Sequence, residues 1–358
     1  MNLNKVLTVE EQRFKPDEWG MPGFEDRHIR SPLIHSGLVE TVQSFYFSEH
    51  TDIDTELYNY CVLYKPDLIL LTVQFCKTVS HLPSEWVISR IVAEFNVSIV
   101  MFWFDIHAEI ISSIFQRYSS FATLNVLFCS SPASHISFDF VKCNYVYAGL
   151  TFDENVFSNR DLYQDIDIGF FGTLYPDRCR YIDILKANHF NVFTAGGIML
   201  NGCRSLVDSK GLPLWVPYTK YLELIQRTKI VLNFSTLPNM RYQMRGRVFE
   251  VLWCTSFLLE EDNPVISEYF TPCEDYASFT GVSDLINKLH MYLFNSADRD
   301  RIRYQGRSTV EKYYNTKRFW GNLLEVVHNI RTNNLSCRSD IWNCNYFDNK
   351  TNGVVYVE

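Results

Sequence analysis

The sequence predicts an α/β protein of two doubly wound domains that face a cleft. Short apolar runs rich in β-branched and aromatic residues alternate with segments of helical length, a pattern typical of parallel strands covered on both faces. The alternation stops around residues 148–167 and starts again with Ile166–Phe171. With 358 residues, 47% of them hydrophobic, the chain is long enough for two cores. We therefore expect domains at 1–150 and 151–330, with a tail at 331–358 that packs back on the first domain.

The first domain is predicted from six apolar runs. They are Lys5–Glu10, about Gln43–Phe47, Asp67–Val73, Val97–Phe104, about Asn125–Cys129 and Asn144–Tyr147. The clearest helix follows the start signal Pro83-Ser84 and places Trp86, Ile88 and Ile91 near one face. We expect that face to cover the sheet.

The second domain is predicted from the same alternation. Its strands are Ile166–Phe171, Asn191–Thr194, Ile230–Asn233 and Phe257–Leu259, and its helices are about Arg178–Asn188, Tyr218–Arg227, Gly246–Cys254, Ser283–Phe294 and Asp298–Tyr314. Ligands of such folds bind outside the carboxyl ends of the strands. We therefore expect the functional residues in the loops that follow the strands.

Composition excludes several classes of protein. The net charge of −8 disfavours bulk binding to nucleic acid or anionic membranes. No apolar run reaches the roughly 18 residues that span a bilayer, and the chain does not start with a signal-peptide core. The ten cysteines show no metal-ligand or redox spacing, so we expect reduced thiols and a cytoplasmic protein without an integral membrane segment.

Positive charge is concentrated in one part of the chain. Residues 201–250 contain eight Lys and Arg against three Asp and Glu, whereas residues 251–300 contain two against nine. The densest stretch, 241–250, has three arginines before an apolar, helix-like run. Arginines where a helix begins add fixed charge to free backbone N–H groups, a combination suited to a diphosphate. The alternative is a solvated helix face.

A second candidate phosphate site follows the strand Ile166–Phe171. Gly172 and Thr173 form a turn, and Arg178 falls in the first turn of the next predicted helix. Such strand–loop–helix junctions bind phosphates in α/β sheets, although a glycine–threonine turn also occurs in purely structural connections. The two loops together suggest a nucleotide diphosphate held from both sides.

Several motifs in order resemble a known family. They are Asp167–Arg178, Leu232–Ser235, Gly246–Leu252, Glu268–Phe270, and Gly306-Arg307 with Tyr313 and Arg318. Together they resemble the glycosyltransferase domain of the spore-maturation CgeB group, which is similar to the large group of retaining GT-B glycosyltransferases, group 1. The resemblance covers roughly residues 145–325. The first 140 residues match only loosely.

The resemblance implies a GT-B fold of two Rossmann-like domains, with the acceptor bound by the first and a nucleotide sugar by the second. It implies a UDP- or GDP-linked donor, a glycan, lipid-linked or protein acceptor, and no obligatory metal or other cofactor. The donor-binding residues that it implies are Gly172, Thr173, Arg178, Pro217, Tyr218, Asn233, Ser235, Tyr242, Arg245, Arg247 and Glu250.

The resemblance also gives roles to these residues. Glu250 matches the second glutamate of an E-x7-E motif, whose carboxylate binds ribose hydroxyls, while Tyr242 stands where the first glutamate would fall. The arginines would neutralise the leaving diphosphate, since without a metal such groups must meet its charge. Pro217 and Tyr218 fall in the segment that would hold the base, although the same residues would also suit a packed loop.

Candidate catalytic groups follow a strand of the first domain. Asp105 and His107 come directly after the apolar strand Val97–Phe104. Either is a candidate general base if the reaction inverts the configuration of the sugar, and the alternative is a loop-capping role.

Glu10 and His28 flank a long loop, which either faces the acceptor or is a surface loop without a role in binding. Asp165 and Asp167 form an Asp-x-Asp sequence, but they lie where a strand begins. We therefore expect them to be polar residues at the end of that strand and not to bind a metal ion.

The sequence therefore predicts a metal-independent glycosyltransferase that moves a sugar from a nucleotide diphosphate to a hydroxyl acceptor. Surface polysaccharide, glycolipid and glycoprotein assembly are all compatible with it. Because Tyr242 replaces a glutamate of the motif, a non-catalytic protein that binds a nucleotide sugar or a glycan is the alternative. An epimerase of the same fold is a third.

Overall fold

The computed structural model describes residues 4–11, 26–73, 82–104, 109–128, 143–157, 162–200, 203–205, 216–237, 241–333 and 338–341. The chain divides into two compact units. The first contains the described residues of Met1–Glu18, Pro22–Asp153 and Tyr314–Glu358, and the second contains those of Glu154–Tyr313. Residues 314–330, which the sequence analysis assigned to the second domain, are thus grouped with the first unit.

The first unit is built on a seven-stranded sheet in which every pair is parallel. Its strands are β1 (Lys5–Glu10), β2 (Thr41–Tyr46), β3 (Leu68–Val73), β4 (Ser98–Trp103), β5 (Leu124–Phe128), β6 (Tyr145–Ala148) and β16 (Arg338–Asp340), in the spatial order β16-β6-β5-β4-β3-β1-β2. All residues of β3, β4 and β5 are buried, as expected for strands covered on both faces.

Helices cover both faces of this sheet. They are α1 (Ser31–Ser36), α2 (Ile53–Tyr64), α3 (Glu85–Phe95), α4 (Glu109–Tyr118) and, after the second unit, α11 (Thr316–Asn333). Ser84 caps α3 by accepting a hydrogen bond from Val87 N, so this helix begins where its start signal predicted. The prediction for Trp86 is wrong: its side chain is 64% exposed, while Val87, Ile88 and Ile91 face the core.

Helix α11 explains why the chain returns to the first unit. Trp320 packs edge-on against Phe102 of β4, with ring centroids 6.0 Å apart, and Phe319 stacks on Phe128 of β5. Thr316 donates a 2.6 Å hydrogen bond to the carbonyl of Phe152. The sequence analysis did not predict this helix.

The second unit contains a five-stranded sheet that is also parallel throughout. Its strands are β7 (Ile166–Phe171), β8 (Val192–Ala195), β11 (Thr228–Asn233), β14 (Leu258–Glu261) and β15 (Ala277–Phe279), in the order β15-β14-β11-β7-β8. Two small antiparallel pairs join β9 (Ile198–Leu200) to β10 (Cys203–Ser205) and β12 (Thr236–Leu237) to β13 (Arg241–Tyr242).

Helices flank this second sheet on both sides. They are α5 (Pro176–Ala187), α6 (Tyr218–Gln226), α7 (Gly246–Trp253), α8 (Pro264–Ser267), α9 (Gly281–Phe294) and α10 (Ser296–Tyr313). Phe170 of β7 lies in a core with Leu185 of α5 and Leu289 of α9. Phe171 points to the opposite face and packs edge-on against Tyr221 of α6, at 5.8 Å. The prediction of two doubly wound α/β sheets is therefore confirmed.

The helices and thiols add two observations. Within the described ranges, no helix is both long enough and apolar enough to cross a membrane. Free thiols are found at Cys61, Cys143, Cys179, Cys254 and Cys273.

Candidate functional site

The strand order of the second sheet reverses between β7 and β11. From β7 the chain proceeds to β8 on one side and then to β11 on the other. At such a switch point the connections after the two strands leave in opposite directions and open a crevice at their carboxyl ends, where ligands of open α/β sheets bind. Gly172 follows β7 at this edge and Phe234 follows β11.

The turn after β7 requires glycine. Gly172 has a φ of 151°, which side-chain-bearing residues rarely adopt, and a Cβ atom there would lie 2.3 Å from Nη2 of Arg247. Its N–H donates to the carbonyl of Ala195 at 2.7 Å. Gly196 approaches from the other side, because a Cβ on that residue would lie 2.4 Å from the Gly172 carbonyl oxygen. The two glycines thus allow the loops after β7 and β8 to meet beside a guanidinium group.

Arg178 connects the loops after β7 and β11. Its Nη1 donates to the carbonyl of Thr173 at 2.9 Å, and its Nη2 donates to the carbonyl of Phe234 at 2.8 Å. Burial and, after it, the nearby charges of Arg247 and Arg245 lower the pKa of Arg178 to about 10. Three arginines are therefore close enough to repel one another at this edge.

Arg247 is positioned by a chain of buried polar groups. It lies in the first turn of α7, and its Nη1 donates to Oδ1 of Asn233 at 2.7 Å. Asn233 in turn donates from Nδ2 to Oε2 of Glu260 at 2.6 Å and to Oγ of Ser235 at 3.1 Å. Asn233, Ser235 and Glu260 are fully buried. The orientation of the Arg247 guanidinium group is thus fixed by Asn233, which is itself held by Ser235 and Glu260.

Glu260 is a residue that the sequence analysis missed. Burial raises its pKa to about 7, and hydrogen bonds from Asn233 and Ser235 partly oppose that rise. It lies in β14 and pairs in register with Asn233 of β11. The available signal was a carboxylate directly after the apolar run Phe257–Leu259, where a strand reaches its carboxyl end.

Glu250 is held by two tyrosines of α6. The hydroxyl of Tyr218 donates to Oε1 at 3.1 Å and that of Tyr221 to Oε2 at 2.6 Å, and Glu250 is 8% exposed. Burial and the neighbouring Glu250 raise the pKa of Tyr221 well above its usual value, while Arg247 opposes the rise. The carboxylate is thus oriented from α6, and each oxygen keeps further capacity to accept a hydrogen bond. The sequence analysis did not single out Tyr221, which lies one helical turn after Tyr218.

The remaining predicted residues lie around this network. Arg245 precedes α7 as its N-cap residue, and Pro217 precedes α6 and is exposed. Tyr242 is half-buried in β13, opposite Thr236 of β12. Gly172, Thr173, Arg178, Asn233, Ser235 and Arg247 come together at one edge, and Glu250 joins Tyr218. The candidate bases Asp105 and His107 lie outside the described residues.

The charges at this edge suit an anion more than a metal ion. The hydrogen bonds that Arg178 and Arg247 make within the described ranges go to backbone carbonyl and amide oxygens, which carry no formal charge. The same ranges contain no group of three His, Cys, Asp or Glu that could hold a metal ion. Asp165 and Asp167 instead form ion pairs with Arg227 and Lys229 at the amino end of the sheet.

Known proteins share this domain and this fold. Residues 166–325 match the family model described as Glycosyl transferase-like. HepE from Anabaena, solved in complex with UDP and glucose, has a TM-score of 0.59 and 13% identity, with 92% of this chain and 99% of that chain covered. Sucrose-phosphate synthase from Thermosynechococcus elongatus has a TM-score of 0.56 and 11% identity, with 91% and 99% covered.

A putative UDP-N-acetylglucosamine 2-epimerase from Listeria monocytogenes is also similar, with a TM-score of 0.51 and 11% identity over 94% of this chain and 98% of that chain. No curated protein matches the chain in sequence. The structural likenesses show a GT-B fold, as predicted, and residues 166–325 are similar to the glycosyl transferase-like family.

Proposed function

We propose that this protein transfers a sugar from a nucleotide diphosphate donor to a hydroxyl acceptor. The observation that carries the proposal is the group of arginines at the switch point of the second sheet, where Arg178 and Arg247 bind neutral oxygens and repel each other. Such a group is stabilised by an anion. A departing nucleoside diphosphate is the anion that a glycosyl transferase-like domain would release.

The backbone adds further donors to the same edge. Helix α7 begins at Gly246, and no described side chain caps its first turn. Val248 N–H donates to the carbonyl of Arg245, while the N–H groups that begin a helix and its positive end favour a phosphate group. Arg245 and Arg247 flank this terminus, so a diphosphate there would meet charge and N–H donors together.

Glu250 supplies the proposed nucleoside contact. Its two oxygens are fixed by Tyr218 and Tyr221, and an oriented carboxylate binds vicinal hydroxyls such as those of ribose. We further propose that the donor is linked to UDP or GDP and that the protein belongs to the CgeB-like group, on the motifs described above. HepE, a neighbour in fold, is solved with UDP and glucose.

Two measurements test the proposal. We expect UDP or GDP to raise the melting temperature of the protein more than ATP or inorganic phosphate does, because a ligand that binds only the folded state stabilises it. We then expect nucleoside diphosphate release from UDP- or GDP-linked sugars in the presence of glycan, lipid-linked or protein acceptors. If no nucleotide changes the melting temperature of the protein, the proposal is ruled out.

A non-catalytic role is the second candidate, and Tyr242 favours it. This residue stands where the family motif has its first glutamate, and it is half-buried in β13. A phenol replaces the charge of a carboxylate at that position. Tight UDP or GDP binding without turnover of any donor would support the binding protein over the transferase.

A further inference from the structure

The first unit contains a cavity that the proposed function does not use. Its volume is about 530 Å³, and it lies where α2 and α3 begin and α4 ends. Pockets for small molecules have volumes of roughly 300–1,000 Å³. The lining residues 51–54, 82, 84–86 and 117–118 all belong to the first unit. A ligand can therefore be bound here by one unit alone.

Trp86 contributes an exposed aromatic ring to this cavity. The residue is 64% exposed, although its neighbours Val87 and Ile88 in α3 are buried. The Arg90 guanidinium group lies 5.5 Å from the centre of the indole ring and 3.8 Å from the centre of the Tyr58 ring. The indole thus has a packed neighbour but keeps most of its surface in contact with water. A ligand with an apolar face gains free energy by covering that surface.

Two buried side chains form the inner wall of the cavity. Leu82 is 5% exposed and Tyr118 is 2% exposed. The Tyr118 hydroxyl donates to the carbonyl of Pro83 at 3.2 Å, which holds the phenol ring in place. The cavity therefore has an apolar inner wall in addition to the exposed indole.

Polar groups border the same space and are held in defined orientations. Oδ1 of Asp54 accepts a hydrogen bond from the Ser84 N–H at 2.8 Å, and Asp52 caps α2 through its Oδ1. Nε of Arg117 donates to Oε1 of Glu85 at 2.7 Å. The carboxylates have further lone pairs and the guanidinium group has further N–H donors. The cavity can therefore both accept hydrogen bonds from a ligand and donate them to it.

The charge of the lining distinguishes between classes of ligand. Its charged side chains are the carboxylates of Asp52, Asp54 and Glu85 and the guanidinium group of Arg117. The excess of negative charge repels phosphates, sulfates and acidic sugars. A neutral sugar has C–H groups that can cover an aromatic ring and hydroxyl groups that donate and accept hydrogen bonds around its edge. It matches both kinds of surface in this cavity.

We propose that this cavity binds an uncharged saccharide, with one sugar ring stacked on Trp86 and hydroxyl groups bonded to Asp54 and Arg117. The inference goes beyond the proposed function and does not depend on it, because this binding needs no nucleotide sugar and no turnover. One consequence does rest on the proposed function: among the acceptor classes of such a transferase, the site favours a glycan.

The test measures saccharide binding by the full chain as wild type, Trp86→Ala, Trp86→Phe and Leu63→Ala. The probes are maltose, cellobiose, lactose and N,N′-diacetylchitobiose, followed by saturation-transfer difference NMR and calorimetry. A second series adds an excess of UDP or GDP to occupy the proposed donor site. Leu63 is the matched control, because it is an apolar side chain of α2 that is 85% exposed and does not line the cavity.

We expect the wild-type protein to bind at least one of these saccharides. Trp86→Ala should bind it at least about tenfold more weakly, and Trp86→Phe should retain most of the affinity because it keeps an aromatic face. Leu63→Ala and an excess of UDP or GDP should not change the affinity. The affinity should also change little between about 0.1 M and 1 M salt, because the ligand is uncharged. The melting temperature of Trp86→Ala should stay close to that of the wild type, since the side chain is largely exposed.

Four outcomes would overturn the assignment. They are no binding of any of the four saccharides by the wild-type protein, equal binding by the wild type and Trp86→Ala, displacement of the saccharide by UDP or GDP, and salt-sensitive binding of spermidine in place of saccharides. The last would assign the cavity to a cationic ligand. A protein that binds no nucleotide but binds a saccharide through Trp86 would refute the proposed function and support this site.

Discussion

Arg247 shows how single residues create the candidate site. Its guanidinium group occupies the space that a Cβ atom at residue 172 would need, and it donates to Asn233, which is held by Glu260. The sequence indicated Arg247 and Asn233 through motif resemblance. It could not indicate Glu260, because the hydrogen bond between Asn233 and Glu260 joins residues 27 positions apart and depends on which strands become neighbours.

Glu260 should make the stability of the protein depend on pH. Its pKa is about 7 in the folded protein and 4.5 as the ordinary value, so the folded state holds the proton more tightly. The free energy of unfolding should therefore fall as pH rises from about 4.5 through 7, by on the order of 3 kcal/mol from this group. Glu260→Gln lacks this contribution. Urea unfolding at pH 5, 6, 7 and 8 should give a shallower decline for the variant; equal declines would contradict the assignment.

Glu250 should contribute to nucleotide binding through its carboxylate. Glu250→Ala should weaken UDP or GDP binding by roughly 1–3 kcal/mol, the range for losing a hydrogen bond to a charged group. Tyr221→Phe is the control, because it removes the 2.6 Å hydrogen bond to Glu250 but keeps the carboxylate. The control should lose about 1 kcal/mol of stability and little affinity. Unchanged affinity in Glu250→Ala, measured by calorimetry, would remove Glu250 from the site.

At the scale of elements, strands were predicted well because composition determines them locally. The runs Lys5–Glu10 and Ile166–Phe171 are the strands β1 and β7 with identical bounds. The short β15 and the pair β12 and β13 were missed, since two or three residues carry no periodic signal. Trp86 was misassigned because a helical face spans a wide arc, and only tertiary packing decides which large side chain at its border stays in solvent.

The turn after β7 offers a test of one element. Gly172→Ala should displace Arg247, because the new Cβ would meet its Nη2 at 2.3 Å, and nucleotide affinity should fall about tenfold or more. Gly281→Ala is the control, since Gly281 also has a positive φ, of 74°, but nothing lies within 4 Å of the added atom. Both variants should lose about 1–2 kcal/mol of stability from backbone strain. Equal affinities of the two variants for UDP or GDP would show that the contact with Arg247 is unimportant.

At the scale of the whole molecule, an acidic protein has one segment with an excess of positive charge, and Arg245 and Arg247 of that segment lie near Arg178 at the carboxyl edge of the second sheet. The net charge is −8, whereas residues 201–250 have five more basic than acidic residues, eight against three. The sequence predicted this local excess. It did not predict helix α11 or its place in the first unit, because the edge-on contact of Trp320 with Phe102 joins residues far apart in the chain.

The salt dependence of affinity should distinguish the contacts to the phosphates from the other contacts to the nucleotide. Raising ionic strength from about 0.1 M to 1 M shortens the screening length from about 10 Å to 3 Å, so charge-dependent binding weakens. We expect the affinity for UDP or GDP to fall several-fold and that for uridine or guanosine to stay nearly constant. Calorimetric titrations at both salt concentrations measure the difference. Equal salt dependence of nucleotide and nucleoside would argue against a diphosphate at the arginine group.

The most direct test of the central claim is calorimetric titration of UDP and GDP into the wild-type protein, Arg247→Met and Arg303→Met. Arg303 is the matched control, because it is largely buried in the same unit and donates to the carbonyl of Thr255, before β14 at the amino edge of the sheet. We predict that the wild-type protein binds UDP or GDP, that Arg247→Met binds it at least about tenfold more weakly, and that Arg303→Met binds it like the wild type. Wild-type affinity in Arg247→Met, or no binding of either nucleotide by the wild type, would contradict a nucleotide diphosphate site at this edge.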